Sequence, residues 1–343
     1  MRVLVTGNLG YIGVILTPML KSRGHEVRGL DSDLFRLCTF GTGPDPCVTL
    51  LKDVRDVERA DIEGFDAVLH LAGLSNDPLG DLNPDLTYEI NHKASVRLAE
   101  LCRDAGVKRF VFSSSCSNYG AGGEDFLDES GEFNPVTPYG RSKVLVEQEV
   151  GRMATESFSP IFLRNATAYG YSPRLRFDLV LNNLTAWAHT TGKVMLKSDG
   201  TPWRPIVHIE DISRAFVAVT EAQTSRVHLQ AFNVGATDEN YQIRQLATIV
   251  GEVVEGSTVT FSDGASPDVR NYRVNCDKFA NAFPEFVPQW TARQGAHELL
   301  AKYQQFGVTL DEFEGPRYRR LDHIKQLISE GVVDESLRRV EER

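Results

Sequence analysis

The sequence has 343 residues, of which 41% are hydrophobic and 24% are charged, and its formal net charge at pH 7 is -10. This composition is ordinary for a folded globular protein and excludes a disordered chain. The negative charge disfavours nonspecific binding to nucleic acid or to anionic lipid, but locally placed arginines remain compatible with binding of a small anion.

The five cysteines are widely spaced, with neither a CxxC pair nor neighbouring histidines at the spacing of metal ligands. We therefore expect no metal site, and a reducing cytoplasm as the location. The first residues, "MRVLVTGNLGYIG", begin a strand-like run, and no run of about 18 apolar residues occurs. We expect a protein that is not exported and has no membrane partner.

Short β-branched runs alternate with helical patterns in the first half of the chain. Residues 2–7 and 26–31 are predicted strands on either side of a predicted helix, which makes a βαβ unit. The alternation continues with predicted strands and helices at residues 66–73, 86–105, 107–114, 139–155 and 159–166. Strands that alternate with helices indicate an α/β protein with a parallel sheet that is covered on both faces.

After about residue 172 this alternation becomes irregular. The strand-like stretch "PIVHI" precedes a predicted helix over residues 210–222, and mixed segments follow. We expect one domain over residues 1–172 and a smaller α/β substrate-binding region over residues 173–343, with some segments returning to the first domain. The charged tail from about Asp311 is expected to form a solvated pair of surface helices.

A GxxGxxG pattern follows the first predicted strand and opens the first helix, with the glycines at Gly7, Gly10 and Gly13. Small residues let the backbone approach a pyrophosphate, whose charge the helix N-terminus stabilises. Asp31 ends the second strand, where a carboxylate accepts hydrogen bonds from the ribose of NAD and repels the 2′-phosphate of NADP. The pattern predicts a Rossmann-type, doubly wound sheet that prefers NAD. Arg28 and Arg36 are close enough in sequence to leave the use of NADP as an alternative. For Asp31 itself, the alternative is a role in a turn or as a cap.

Residues 113–120, "SSSCSNYG", are unusually small and polar for a stretch that follows a buried strand. In an open parallel sheet the ligand lies beyond the carboxyl ends of the strands, so Ser115 is predicted to lie near the reacting carbon. Tyr139 and Lys143 are four residues apart on a predicted helix and share one face. The ammonium group can lower the pKa of the phenol, and the phenolate can then take a hydroxyl proton as hydride leaves.

These segments resemble the extended short-chain dehydrogenases/reductases, specifically the NAD-dependent epimerase/dehydratase family that acts on nucleotide sugars. The resemblance covers nearly the whole chain and rests on the segments "VTGNLGYIG", "LKDVRD", "DAVLHLAGLS", "YEINHKAS", "FSSSCSNYG", "PYGRSK", "LRNATAYG", "DGTPWRPIVHIEDIS" and "FNVG". Together these motifs are specific for the family but not for the reaction. A homodimer is a further expectation from the resemblance.

The resemblance also implies roles for individual residues. Tyr139 is expected to be the general acid and base, Lys143 to hold the nicotinamide ribose, and Ser115 to hydrogen-bond the C4 oxygen of the sugar. The implied cofactor-binding residues are Gly7, Gly10, Tyr11, Ile12, Gly13, Asp31, Asp53, Val54, Leu71, Ala72, Gly73, Asn91, Ser113, Tyr139 and Lys143. The implied substrate-binding residues are Ser75, Asn165, Thr167, Arg174, Arg176, Asn183, Arg204 and Arg270, of which the last two suit a diphosphate.

Two positions depart from the family. Its sugar 4,6-dehydratases carry an Asp-Glu pair directly after the hydroxyl residue, where this chain has Cys116 and Ser117. An ordinary 4,6-dehydratase is therefore disfavoured. Cys116 is interpreted either as a space-filling residue or as a catalytic thiol that acts as acid or base. Thr167 stands where many members have Asn, which indicates altered sugar selectivity.

The leading hypothesis is an NAD-dependent nucleotide-sugar 4-epimerase that works through a transient 4-keto sugar. An atypical dehydratase, a decarboxylase or a 4-ketoreductase is the alternative within the family, because each begins or ends with hydride transfer at C4. A noncatalytic dinucleotide-binding sensor or scaffold is the alternative of another class. The presence of Ser115, Tyr139 and Lys143 argues against that last alternative.

Overall fold

The computed structural model describes residues 1–75, 83–123, 125–196, 198–261 and 270–340. Its strands are β1 (Arg2–Thr6), β2 (Glu26–Asp31), β3 (Thr49–Leu51), β4 (Ala67–His70), β5 (Arg109–Ser115), β6 (Phe126–Leu127), β7 (Ser159–Asn165), β8 (Thr167–Tyr169), β9 (Lys193–Leu196), β10 (Trp203–His208), β11 (Ala231–Val234), β12 (Asn240–Gln242), β13 (Thr258–Phe261) and β14 (Arg273–Val274).

Its α-helices are α1 (Gly13–Ser22), α2 (Arg59–Ile62), α3 (Pro84–Thr87), α4 (Ala94–Asp104), α5 (Pro138–Gly151), α6 (Val180–Thr191), α7 (Ile209–Glu221), α8 (Thr224–Val227), α9 (Ile243–Val253), α10 (Asp277–Ala282), α11 (Ala292–Phe306), α12 (Leu310–Phe313) and α13 (Arg320–Ser329). A π-helical stretch, Tyr88–Lys93, joins α3 to α4. Short 3-10 helices lie at Arg36–Cys38, Val54–Asp56 and Cys116–Tyr119.

Seven strands form one parallel sheet in the order β11-β7-β5-β4-β1-β2-β3. The chain runs outward from β1 through β2 and β3 on one side, and from β4 through β5, β7 and β11 on the other. The order therefore reverses between β1 and β4, which is where open α/β sheets bind their ligands. This topology confirms the predicted Rossmann-type α/β fold. The strand β11, from the second half of the chain, pairs with β7 at the edge of the sheet.

Apolar residues on both faces of the sheet explain why helices cover both sides. Successive side chains of a strand point to opposite faces. In β1, Val3 and Val5 share one core cluster with Leu16 of α1, while Leu4 belongs to another core cluster with Leu98 of α4. Burying each such aliphatic side chain contributes about 1.5–3 kcal/mol, so the two layers fix the sheet that carries the site.

Smaller sheets include strands from both parts of the chain, since β6 and β8 come before residue 172. β8, β10 and β12 form one three-stranded sheet, and the pairs β9 with β13 and β6 with β14 form two more. Between α6, α9 and α11 lies a separate apolar core that includes Leu184, Leu246 and Leu299. Among the helices within the described ranges, none combines the length and the apolarity that a membrane crossing requires.

The carboxyl-terminal tail is not a solvated surface pair, so that prediction is wrong. Ile324 and Leu327 of α13 are buried in the core beside β1 and α4, and so are Val333 and Leu337 further on. The high charge of the tail hides an amphipathic pattern, because its apolar residues recur every three to four positions and face one side. Part of this tail also reaches the functional site.

Candidate active site

A cleft of about 700 Å³ lies at the carboxyl ends of the central strands. Residues at or directly after the ends of six strands line it, namely those that follow or end β1, β2, β3, β4, β5 and β7. This is the position that the strand order predicts for a ligand site. Residues from the second region, including Arg204 and Arg270, line the same cleft.

The glycine loop forms a close-fitting cradle at the start of α1. Gly7 has a φ of +75°, in the left-handed region that favours glycine. A Cβ atom at Gly7 would lie 2.7 Å from the Ala72 nitrogen, and one at Gly13 would lie 2.3 Å from the Gly7 oxygen. Neither position accepts a side chain, so the backbone at the helix N-terminus stays open to an anionic group in the cleft.

Asp31 and Asp53 organise the loops on the β2 and β3 side of the cleft, and both line it. The Asp31 carboxylate accepts hydrogen bonds from the nitrogens of Leu9 at 2.9 Å and Asp33 at 2.8 Å. Burial raises the pKa of Asp31, and these two hydrogen bonds oppose the rise. Burial would also raise the pKa of Asp53, but hydrogen bonds and the charge of Arg55 outweigh it and lower that pKa.

Replacing Asp31 with Ser is expected to reduce the preference for NAD over NADP by at least about tenfold, because like charges in contact cost several kcal/mol. Dissociation constants for both cofactors, measured by calorimetry, test this expectation. Asp45→Ser, at an exposed position outside the cleft, is the control. Equal affinity of the unmodified protein for NAD and NADP would remove Asp31 from this role.

Tyr139, Lys143 and Ser115 meet at the β5 side of the same cleft. Pro138 opens α5, and the Thr137 hydroxyl caps it by accepting a hydrogen bond from the Gly140 nitrogen at 3.2 Å. Lys143 Nζ donates to the Ser113 carbonyl at 2.8 Å and lies 5.6 Å from the centroid of the Tyr139 ring. Burial lowers the pKa of Lys143 to about 7, and the charge of Glu147 opposes this shift.

The strand order fixes the distance between the two ends of the cleft. Two strands, β4 and β1, separate β5 from β2. Three steps between adjacent strands amount to roughly 14 Å. A ligand that reaches from Asp31 to Lys143 must therefore cross the sheet over the glycine loop, as an extended dinucleotide would.

The polar residues at the end of β5 and directly after it have a structural role that the sequence did not reveal. Ser114 Oγ and Asn118 Nδ2 both donate to Glu147 Oε1. Arg164 Nη2 donates to Glu147 Oε2 at 2.7 Å, and Arg164 Nη1 donates to the Tyr119 hydroxyl at 3.0 Å. Glu147 lies one helical turn beyond Lys143, so a buried ion pair anchors both the strand end and the catalytic helix. The spacing of four residues from Tyr139 to Lys143 and again to Glu147, which places all three on one face of the helix, could have indicated this role of Glu147 from the sequence.

Cys116 is fully buried and lies outside the set of residues that line the cleft. Its Sγ donates to the Arg164 carbonyl at 3.1 Å, and it packs with Tyr272 and Cys276. Burial raises the pKa of the Cys116 thiol well above its usual value. The catalytic interpretation of this thiol conflicts with that position, because the chain turns after Ser115 and directs the next side chain into the core. The space-filling interpretation fits.

Most of the expected substrate-binding residues line the cleft, namely Ser75, Asn165, Thr167, Arg176, Asn183, Arg204 and Arg270. The expected cofactor-binding residues also line it, with the exception of Asn91. Asn91 Oδ1 accepts a hydrogen bond from the Leu74 nitrogen at 2.7 Å, and Asn91 Nδ2 donates to the Leu74 oxygen at 2.9 Å. Asn91 therefore supports the loop after β4 from behind.

Arg174 also differs from its expected role as a substrate-binding residue. It is buried, outside the lining of the cleft, with Nη2 3.0 Å from Asp33 Oδ1 and Nη1 2.7 Å from the Phe35 oxygen. These contacts hold the loop after β2, so Arg174 has a supporting position. Arg174 and Arg176 differ in the direction of their side chains, since Arg176, two residues further on, does line the cleft.

Arg204 and Arg270 lie together in the second region. Arg204 Nη1 donates to the oxygens of Trp203 and Arg270, and its Cζ is 5.6 Å from the centroid of the Tyr272 ring. Two arginines in contact within one cleft suit an anionic diphosphate. Asp178, Tyr272, Arg320 and Leu337 are among the lining residues that were not predicted from the sequence.

Residues 3–235, more than half of the chain, match the model of the NAD dependent epimerase/dehydratase family. The chain belongs to this family. Its cradle of glycines fits the family cofactor, because Cβ atoms would fill it. Asn165 Oδ1 and Ser117 Oγ, both on lining residues, are buried without a hydrogen-bond partner among the described residues and can serve a bound ligand.

Individual relatives agree with this assignment. The chain is 27% identical to a UDP-glucose 4-epimerase of Bacillus subtilis over 331 residues, covering 88% of this chain and 95% of that one. It is 28% identical to a UDP-glucose 4-epimerase of Corynebacterium glutamicum over 273 residues, covering 74% and 80%.

Among solved structures, the NAD dependent NDP-hexosamine 5,6-dehydratase TunA, involved in tunicamycin biosynthesis, superposes with a TM-score of 0.79 at 24% identity, covering 89% of this chain and 98% of TunA. The UDP-glucose 4-epimerase of Thermotoga maritima gives a TM-score of 0.75 at 22% identity, covering 89% and 99%. Both solved structures therefore share the fold of this chain.

Proposed function

We propose that this protein is an NAD-dependent nucleotide-sugar 4-epimerase. The observation that carries the proposal is that Ser115, Tyr139 and Lys143 line one cleft with the glycine loop and with the arginine pair Arg204 and Arg270. UDP-glucose 4-epimerases among the curated relatives support the same reaction. The substrate would be a nucleoside diphosphate sugar whose reacting carbon is C4.

Each residue has a task in this reaction. NAD, when bound beside the glycine loop, would supply a reversible hydride acceptor for C4. Tyr139 takes the proton of the C4 hydroxyl and gives it back, and the positive charge of Lys143 favours the phenolate form that does so. Ser115 holds the C4 oxygen. Arg204 and Arg270 keep the diphosphate in place while the 4-keto sugar turns its other face.

The carboxylates of the cleft favour epimerisation over elimination of water. Within the described lining residues, carboxylates occur at Asp31, Asp53 and Asp178. The first two lie on the β2 and β3 side, away from Ser115. Asp178 accepts two hydrogen bonds from Arg176, at 2.6 Å and 3.1 Å, which favour its ionised form over an acid that protonates a leaving hydroxyl. The buried Cys116 thiol is equally unsuited to that task.

Incubating the purified protein with a panel of UDP-, dTDP-, GDP- and CDP-linked hexoses tests the proposal directly. A product of unchanged mass, with inverted configuration at C4 by NMR, is the expected result. Tyr139→Phe serves as the inactive control. Loss of water or of carbon dioxide from the sugar would replace the epimerase with a dehydratase or a decarboxylase, and net oxidation or reduction would indicate a ketoreductase.

Replacing Cys116 with Ala is expected to leave kcat within a few-fold of the unmodified value, because the thiol packs in the core and faces no ligand. Steady-state kinetics with the substrate found in the panel measure this. Ser115→Ala is the matched comparison, since the neighbouring side chain does line the cleft. If Cys116→Ala instead accumulated NADH and a 4-keto sugar, the thiol would be the proton donor of an elimination.

A further inference from the structure

Arg320 brings the carboxyl-terminal helix to the cleft, far from any motif of the family. Its side chain lines the cleft although the residue is only 4% exposed. Nη2 donates to the Arg174 oxygen at 3.0 Å, and Cζ lies 4.0 Å from the centroid of the Phe35 ring. Nη1 lacks a hydrogen-bond partner among the described residues. The weakly accepting Cys38 thiol is a close neighbour.

A chain of hydrogen bonds connects this guanidinium group to the glycine loop. Ser172 Oγ donates to the Tyr11 oxygen at 2.9 Å and accepts from the Arg174 nitrogen at 3.2 Å. The oxygen of the same Arg174 accepts from Arg320. Arg320 is thus linked through Arg174 and Ser172 to Tyr11, which lies two residues before the start of α1, where the backbone is arranged for an anion.

The charges around Arg320 leave a place for that anion. Arg174 pairs with Asp33, and Arg176 pairs with Asp178. No ion pair joins Arg320 to a carboxylate within the described ranges, and burial lowers its pKa to about 10, so it stays protonated at neutral pH. An unpaired buried cation is costly, and a bound anion would offset that cost.

The residues beyond α13 continue along the β2 and β3 side of the same cleft. Leu337 lines the cleft, is 4% exposed, and has a φ of 61°, which a leucine adopts only when its surroundings hold it there. Arg55 Nη2 donates to the Ser336 oxygen at 2.8 Å, and Arg339 donates to the Ser32 oxygen at 3.0 Å. Through these hydrogen bonds the tail holds the loops beside Asp31 and Asp53 in place.

We propose that residues 320–340 complete the cofactor site, with Arg320 binding the diphosphate of NAD and Leu337 covering its adenosine. Arg320 serves the cofactor rather than the sugar nucleotide because it stacks on Phe35 and is linked through Arg174 and Ser172 to Tyr11 of the glycine loop, whereas Arg204 and Arg270 are in contact elsewhere in the cleft. The proposal rests on the family cofactor and holds for any reaction at C4.

Calorimetric binding of NAD, ADP-ribose and adenosine to the nucleotide-free protein tests the role of Arg320. In Arg320→Gln the affinities for NAD and ADP-ribose are expected to fall about 10- to 100-fold, the range for a lost charge-assisted hydrogen bond. Adenosine, which has no phosphate, should change less than about twofold. Arg319→Gln, whose side chain is 52% exposed, is the control and should bind all three normally.

Leu337→Ala provides the complementary pattern and an independent test should Arg320→Gln fail to fold. Because Leu337 would cover the adenosine, this variant should lose affinity for all three ligands by the same factor. Unchanged binding of ADP-ribose to Arg320→Gln, or an equal loss for adenosine and ADP-ribose, would overturn the assignment to the diphosphate. Unchanged adenosine binding in Leu337→Ala would overturn the role of the tail as a cover.

Discussion

Replacing Tyr139 with Phe is expected to lower kcat by at least about 100-fold, the usual contribution of a positioned general acid or base. The ring stays in place and only the hydroxyl is lost, so KM and the amount of bound NAD should change little. This separates a defect in proton transfer from a defect in binding.

Steady-state kinetics and the NAD content of the purified variant measure this effect. Tyr171→Phe is a suitable control, because the Tyr171 hydroxyl donates to the Phe40 oxygen and its residue does not line the cleft. Retention of more than roughly a tenth of the unmodified kcat in Tyr139→Phe would contradict the proton-transfer role, since general acids and bases supply about 100-fold or more.

The elements of the sheet could be predicted because their pattern is local. The strand predicted at 159–166 is β7 (Ser159–Asn165), and the helix predicted at 139–155 is α5 (Pro138–Gly151). The end of α5 was overestimated, since its final turn gives way to a loop. The amphipathic tail helix α13 was misjudged because a count of charges does not register which face they occupy.

Some residues of the site could likewise be predicted from local sequence patterns, and others depend on contacts between distant parts of the chain. The glycine loop and the pair of Tyr139 and Lys143 are defined by spacings of three and four residues, so the sequence alone was enough to predict their placement together. Arg174 and Asn91 are near the cleft but turn away from it, because distant backbone groups accept or donate their hydrogen bonds. Arg320 and Leu337 reach the cleft from the end of the chain, and no local spacing relates them to the glycine loop.

The buried pair of Glu147 and Arg164 illustrates a polar pattern whose meaning depends on tertiary structure. Both residues are nearly inaccessible, at 7% and 5% exposed. The serines at the end of β5 resemble an active-site loop in the sequence, and Ser115 does line the cleft. Ser114 lines the cleft as well, but its hydroxyl donates to Glu147. One short polar segment therefore both borders the ligand site and anchors the buried ion pair.

Replacing Glu147 with Ala is expected to lower the free energy of unfolding by about 3–5 kcal/mol, because Arg164 then remains buried without its counter-charge. Denaturant unfolding of the nucleotide-free protein measures this. Glu149→Ala, on the same helix with a side chain that is 39% exposed, is the control and should lose less than about 1 kcal/mol.

The double variant Glu147→Met with Arg164→Met separates the charge from the packing. Removing both partners takes away the unpaired charge, and a buried ion pair replaced by apolar side chains of similar volume is often neutral in stability. The double variant should therefore be more stable than Glu147→Ala even though it lacks one more native side chain.

Removing the charge of Glu147 also removes the influence that opposes the low pKa of Lys143, so the ammonium form should be lost at a lower pH than in the unmodified protein. A Glu147→Ala protein as stable as Glu149→Ala would show that the ion pair does not anchor α5.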